Sequence, residues 1–254
     1  MFIPLHDANN LKHIKLQYVT IGMIALNVLV FIFVNLPSEA MANAAAIGLG
    51  YTPELVRDGL PPPPYLMVPE PLTYVTYAFL HGNLLHLGGN MLFLWVFGDN
   101  VEDAMGHFKF LFFYLACAAA GAWLHGAFVP QSDLPLIGAS GAVAGIIAAY
   151  LLLHPKVRVW VLAFGRIPLR IPAAIPLLLW LGLQVLMLLM AEQSDVSFAA
   201  HLGGAAAGAL LILVLRRPGV PLFDQVIETP RSVELREPEP PVQAGPRWGR
   251  DGTM

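Results

Sequence analysis

Apolar residues in this chain come in long runs rather than in the short periodic stripes of a water-soluble core. Runs with few charges lie near residues 16 to 36, 84 to 101, 108 to 128, 140 to 154, 171 to 191 and 197 to 215. Most are close to the roughly 20 residues a helix needs to cross a bilayer, so the pattern predicts an all-α membrane protein with six transmembrane helices. The first run exceeds the roughly 7 to 15 residues of a signal-peptide core and reads as a retained helix, although Lys12 and Lys15 precede it and "SEAMANAAA" follows. Residues 37 to 75 form a long outer loop with "LPPPPYLMVPEPL", apolar enough to rest at the bilayer interface and too proline-rich for a continuous helix. A short segment, 1 to 15, precedes the helical domain at 16 to 216, and the Pro-, Arg- and Glu-rich stretch from 217 to 254 predicts a disordered tail.

Composition agrees: 57 % of the 254 residues are hydrophobic and 12 % charged, where a soluble domain has roughly a quarter charged. Charge also orients the chain. Lys12, Lys15, Lys109, Lys156, Arg158, Arg166, Arg170, Arg216 and Arg217 all fall on one side if the runs alternate. The opposite loops hold Arg57 against Glu39, Glu54, Asp58, Glu70, Asp133, Glu192 and Asp195. By the positive-inside rule both termini are cytoplasmic. A net charge of −3 with scattered basic residues argues against a nucleic-acid partner, and the lone Cys117 offers neither a disulfide framework nor a thiolate metal cluster.

The informative residues are those hydrocarbon should exclude. His86 and Asn90 in "HGNLLHLGGNM" share one helix face, Ser140 opens span four, and His201 lies near the start of span six. Counting back from the cytoplasmic ends puts Ser140 about 21 Å, His201 about 22 Å and His86 about 24 Å into a core about 30 Å thick. Three helices therefore carry polar groups at one level. Span four is too short to cross unaided, so the non-helical "SDLPLIGA" before it must dip inward, surrounded by protein or water. Small residues on spans four (Gly141, Gly145, Ala149; Ser140, Ala144, Ala148) and six (Ala200, Gly204, Gly208; His201, Ala205, Ala209) allow close backbone approach.

Brought together, Ser140 is a nucleophile and His201 the base that takes its proton. No acid lies at that depth, so the pair is a dyad, with the Ser140 backbone N–H, Asn90 and His86 available to an oxyanion. Read singly, Ser140 is more readily a helix cap or packing residue, and His86 and His201 are as readily core histidines; shared depth together with motif context decides for catalysis. His81 reads as structural, His125 and His154 as interfacial. "NVED" at 100 to 103 caps helices rather than binding metal, and Gly88, Gly89, Gly203 and Gly204 serve close packing.

"HGNLLHLGGNM", "GASGAVAG" and "AHLGGAAAG", in this order on spans two, four and six, resemble the motif set of the rhomboid intramembrane serine proteases, as does "FGDNVEDAMGHFKFLFFYL". The resemblance covers residues 16 to 216. It implies a six-helix rhomboid-like bundle with Ser140 as nucleophile, His201 as base, His86 and Asn90 around the oxyanion, and no cofactor or metal. It also implies single-pass membrane proteins as substrates, cut in or near their transmembrane segments, with span five and its Trp180 controlling entry. The sequence departs from the family at Ala144, where some members stack an aromatic on the catalytic histidine, and in lacking a Trp-Arg pair in the first outer loop. An inactive relative that binds membrane proteins would usually lack the serine or histidine. A histidine-lined transporter would want a deep carboxylate, and a zinc protease an HExxH motif. With no organelle-targeting presequence evident, the expected home is a bacterial inner membrane, the site opening to the outer face.

Overall fold

The computed structural model describes residues 2–57, 64–190 and 196–224. In chain order these form β1 (Phe2–Asp7), α1 (Tyr18–Val34), α2 (Glu39–Leu49), α3 (Pro53–Arg57), α4 (Glu70–Thr76), a 3-10 turn (Tyr77–Phe79), α5 (Leu84–Met105), α6 (His107–Phe128), α7 (Ser140–Leu153), β2 (Arg158–Ala163), β3 (Ile167–Pro172), α8 (Ala174–Met190) and α9 (Phe198–Leu215). Helices α1 and α5 to α9 coincide with the six apolar runs to within a few residues. By length and composition α6 and α9 are able to cross a membrane; α1, α7 and α8 are shorter apolar helices, and α5 carries Asp99, Glu102 and Asp103.

Two expectations need correction. The fold is mostly but not wholly helical, because β1, β2 and β3 form an antiparallel sheet in that order. Its strands lie in short segments outside the long apolar runs, where a hydropathy scan has little to read. Residues 217 to 224 also belong to the folded body: Arg217 N–H donates to Ala104 O, and Phe223 and Asp224 N–H donate to Leu152 and Leu153 O, satisfying carbonyls at the α7 C-terminus. The remainder of the expected tail, 225 to 254, lies outside the described residues.

The first outer loop contains α2, α3 and α4, as its prolines require. It is anchored without a Trp-Arg pair. Tyr51 and Leu136 exchange backbone hydrogen bonds of 3.2 and 2.8 Å, Glu54 N–H donates to Ser132 O, and Gly138 N–H donates to Tyr77 O. The non-helical strip before α7 thus has backbone partners on protein, which irregular chain at membrane depth needs.

At the opposite end, acids serve as acceptors, and one of them caps a helix. Gln17 gives α1 no side-chain cap; instead fully buried Glu102 of α5 accepts from Val19 N–H (3.0 Å), Thr20 N–H (2.8 Å) and Thr20 Oγ1 (2.7 Å), and contacts His107. Asp103 accepts from the N–H groups of Lys12, His13 and Ile14. Asp7 ties β1 to the bundle, accepting from Asn100 Nδ2 (2.9 Å) and Tyr150 OH (2.8 Å).

Helices α6, α7 and α9 meet at backbone distance. A β-carbon on Gly204 would lie 1.8 Å from the Gly141 carbonyl oxygen, and one on Gly208 2.2 Å from that of Gly145. One on Gly121 of α6 would lie 2.8 Å from Ala200 O and 3.5 Å from Gly141 Cα. Gly203 faces Ala120 O and Leu124 in the same way, but Gly88 and Gly89 meet nothing within 4 Å. The close-packing role expected of all four glycines therefore holds for Gly203 and Gly204 and fails for Gly88 and Gly89, whose face of α5 is exposed.

Three outcomes follow. Glu102→Ala strands the α1 donors and should cost about 3 kcal/mol or more, read as a lowered thermal unfolding midpoint in detergent. Gly204→Ala should cost about 1–3 kcal/mol in the same unfolding measurement, because backbone cannot yield to the new methyl, whereas Gly89→Ala should be close to neutral. Burial raises the Asp7 carboxyl from 3.8 to about 6, so the folded protein holds a proton that the unfolded chain releases. Its stabilisation is complete below pH 3.8 and lost as pH rises through about 6. Asp7→Asn keeps an acceptor for both donors and should flatten that part of the stability–pH curve.

Candidate active site

Ser140 is the first residue of α7. The Ala139 N-cap contributes no side-chain hydrogen bond, and among the described residues the Ser140 hydroxyl makes none either. The serine is half-buried and is not a helix cap. Gly138, two residues earlier, has φ +122°, a left-handed value that favours glycine, and its missing side chain makes room for a ring: a β-carbon there would lie 2.6 Å from His86 Cε1 and Nε2. The His86 imidazole therefore rests against the backbone leading into Ser140.

Helix α5 delivers that ring through its N-terminus, where the Asn83 cap accepts from His86 N–H (2.9 Å). One turn on, Asn90 is buried and donates through Nδ2 to His86 O (3.1 Å). His81, 1 % exposed, accepts from Ala139 N–H through Nε2 at 3.4 Å, and its ring lies 5.0 Å from that of His86. His81 thus braces the turn before the serine. His125 bonds Ser197 Oγ, the N-cap of α9 (2.7 Å), and His154 caps the C-terminus of α7.

His201 sits in the first turn of α9 with 7 % of its surface accessible. Its neighbour Ala200 presents a carbonyl oxygen 3.3 Å from where a Gly141 β-carbon would lie, so the chain next to His201 abuts the chain next to Ser140. The two helix starts are adjacent; no hydrogen bond joins the two side chains among the described residues.

Two residues that the sequence argument gave no role toward the histidine surround its ring. Gln184 of α8, 4 % exposed, places Oε1 2.7 Å from His201 Nδ1 and donates from Nε2 to Trp180 O (3.1 Å). The Trp180 ring lies 5.5 Å from that of His201, tilted by 34°. Ala144 packs with Ala148 and Ala205 beneath Trp180 and Leu181, so its small side chain leaves space for the α8 aromatic. A signal for Gln184 was available: it is the one polar side chain in "AIPLLLWLGLQVLMLLM". Among the described residues no group of three or more His, Cys, Asp or Glu could hold a metal ion.

Comparison with known proteins bears on what such a site belongs to. The family model for the Rhomboid domain matches residues 69–218. The chain is 34 % identical over 161 residues to the rhomboid protease AarA of Providencia stuartii, covering 54 % of this chain and 53 % of that protein. It is 32 % identical over 161 residues to the mitochondrial RHOMBOID-like protein 12 of Arabidopsis thaliana (57 % and 46 %). It is 29 % identical over 147 residues to the mitochondrial Rhomboid protein 1 of Saccharomyces cerevisiae (56 % and 41 %). The chain spans about half the length of these curated relatives. Organellar as well as bacterial proteins are among them, so they give no support to the expected bacterial inner membrane in particular. With the matched domain running from the end of the first outer loop to the end of α9, and containing every residue of this cluster, the chain belongs to the rhomboid family of integral membrane proteins.

Proposed function

We propose that this protein is an intramembrane serine endopeptidase in which Ser140 is the nucleophile and His201 the general base. In this reading Ser140 Oγ bonds to the scissile carbonyl carbon while His201 takes the hydroxyl proton. The C–N bond then breaks as His201 passes that proton to the leaving amine. Water attacks the resulting ester, losing a proton to His201, and Ser140 recovers it as the carboxyl product leaves. The oxyanion of each tetrahedral intermediate is met by the Ser140 backbone N–H, His86 and Asn90, donors fixed before charge develops.

The observation that carries this reading is the backbone contact of Gly141 with Ala200, since each is bonded to one member of the proposed dyad. The uncommitted Ser140 hydroxyl and the His86 ring against Gly138 support it. We read the six long helices as six crossings with both termini cytoplasmic. Fourteen residues of α7 span about 21 Å of a core about 30 Å thick, leaving depth for a water-containing opening above Ser140 on the outer face. The partners are the bilayer and single-pass membrane proteins. Their scissile carbonyls must be free of i→i+4 hydrogen bonds to be attacked, which selects segments that leave the helix.

Labelling the detergent-solubilised full-length protein with a serine-directed fluorophosphonate tests the reading. Wild type should be labelled, and Ser140→Ala and His201→Ala should each lose at least about 100-fold in labelling rate. Equal labelling of all three would sink the protease assignment and leave a non-proteolytic binder of membrane proteins. Metal-dependent flux that survives Ser140→Ala would favour a transporter.

A further inference from the structure

A histidine acts as a base only through a nitrogen that carries no proton, so one ring nitrogen must be held protonated for the other to be free. Carboxylates often do this, but no acidic side chain hydrogen-bonds His201 among the described residues. What meets Nδ1 is the primary amide of Gln184, at 2.7 Å. An amide end can be turned either way, and its second contact decides which. The other end of the Gln184 amide lies 3.1 Å from the Trp180 carbonyl oxygen, which only accepts, so the NH2 must face it. The carbonyl Oε1 then faces His201. Because Oε1 only accepts, Nδ1 must donate, and Nε2 is left with its lone pair.

We propose that Gln184 is the positioning residue of the site, its side-chain carbonyl holding His201 as the Nδ1–H tautomer so that Nε2 is the proton acceptor. This rests on the reading of His201 as the general base. Three further observations favour the assignment. Along α8 only Pro176, Leu177 and Gln184 are buried, while the rest is largely exposed apolar surface, so the helix turns its single polar side chain inward. Amide burial in an apolar setting is costly unless both ends are bonded, and both ends are. The Trp180 ring, on the residue whose carbonyl orients the Gln184 amide, covers His201, so ring and amide together restrict imidazole rotation. Ala144 leaves that ring its space.

The experiment uses full-length protein with ¹⁵N-labelled histidine in detergent micelles at mildly alkaline pH, the His201 signals assigned by their loss in His201→Ala. Wild type and Gln184→Glu, which retains an acceptor, should show a protonated Nδ1 and an unprotonated Nε2. Gln184→Met, matched in size but without an acceptor, should lose that preference. In parallel, Gln184→Met should lower kcat on a membrane-protein substrate, and the fluorophosphonate rate at Ser140, by about 10- to 100-fold with KM nearly unchanged, and Gln184→Glu should restore most of the loss. An Nε2–H tautomer in wild type, or an unchanged acylation rate in Gln184→Met, overturns the proposal. Should Gln184→Met fail to fold, the wild-type spectrum and Gln184→Glu still decide. Failure of the protease reading is separately visible as equal labelling of wild type and Ser140→Ala, whatever tautomer His201 holds.

Discussion

The site depends on one close contact: the α7 and α9 backbones touch where neither can carry a side chain. At Gly204 even a methyl group would overlap the Gly141 carbonyl. Lipid tails are as apolar as leucine, so helices in a bilayer gain little from hiding hydrophobic surface from one another. Close van der Waals packing over small residues is a main source of their association. Here the packing seam and the candidate site share a sequence. Ser140 and His201 flank Gly141 and Ala200, so the glycines that hold the helices together also set the separation of the two members of the proposed dyad. Tyr77 reinforces the junction by donating to Ala118 O, with its hydroxyl oxygen 2.9 Å from where a Gly141 β-carbon would be.

The far end of the bundle solves a different problem with different residues. Helix termini leave backbone groups without intrahelical partners, and α1 begins at a glutamine that caps nothing. Glu102 is spent on these orphan N–H groups and Asp103 on those of the segment leading into α1, and the chain after α9 returns to meet carbonyls of α7. Acids that a motif search could take for metal ligands are thus already engaged as acceptors. Polar caps hold this end, and Asn83 and Ser197 cap α5 and α9 at the other, where the Ser140 hydroxyl stays uncommitted among the described residues.

Much of this was legible in the sequence because its strongest signals are one-dimensional. Apolar runs gave the six long helices, and glycine and alanine spacing gave the α7–α9 seam. A serine and two histidines at matching depth gave the candidate site. What was not legible depends on which way a residue faces. Gly88 and Gly89 read like Gly203 and Gly204, yet α5 turns the first pair outward and α9 turns Gly203 and Gly204 inward. The strands escaped notice because β2 and β3 are six residues each and β1 pairs with β2 across more than 150 residues of chain. The first outer loop, which has no Trp-Arg pair, is held by backbone pairing of Tyr51 with Leu136, which leaves no side-chain signature.

Ala144 shows how an absence in one helix is answered in another. A small residue there leaves the His201 ring without an aromatic neighbour from α7, and the space is taken by Trp180 from α8, with Gln184 one turn further along. Control of the ring passes from the most completely buried helix of the bundle to one of the least buried. Every residue of α7 from Gly141 to Tyr150 is buried, whereas α8 is anchored through three. A ring held by α7 would be oriented whenever the bundle is folded. A ring held by α8 is oriented only while α8 is seated, because moving that helix lengthens the contact between Gln184 and Nδ1. On the proposed reading of His201 as the base, the geometry couples the tautomer of that base to the seating of α8, which has the fewest buried residues of the six long helices.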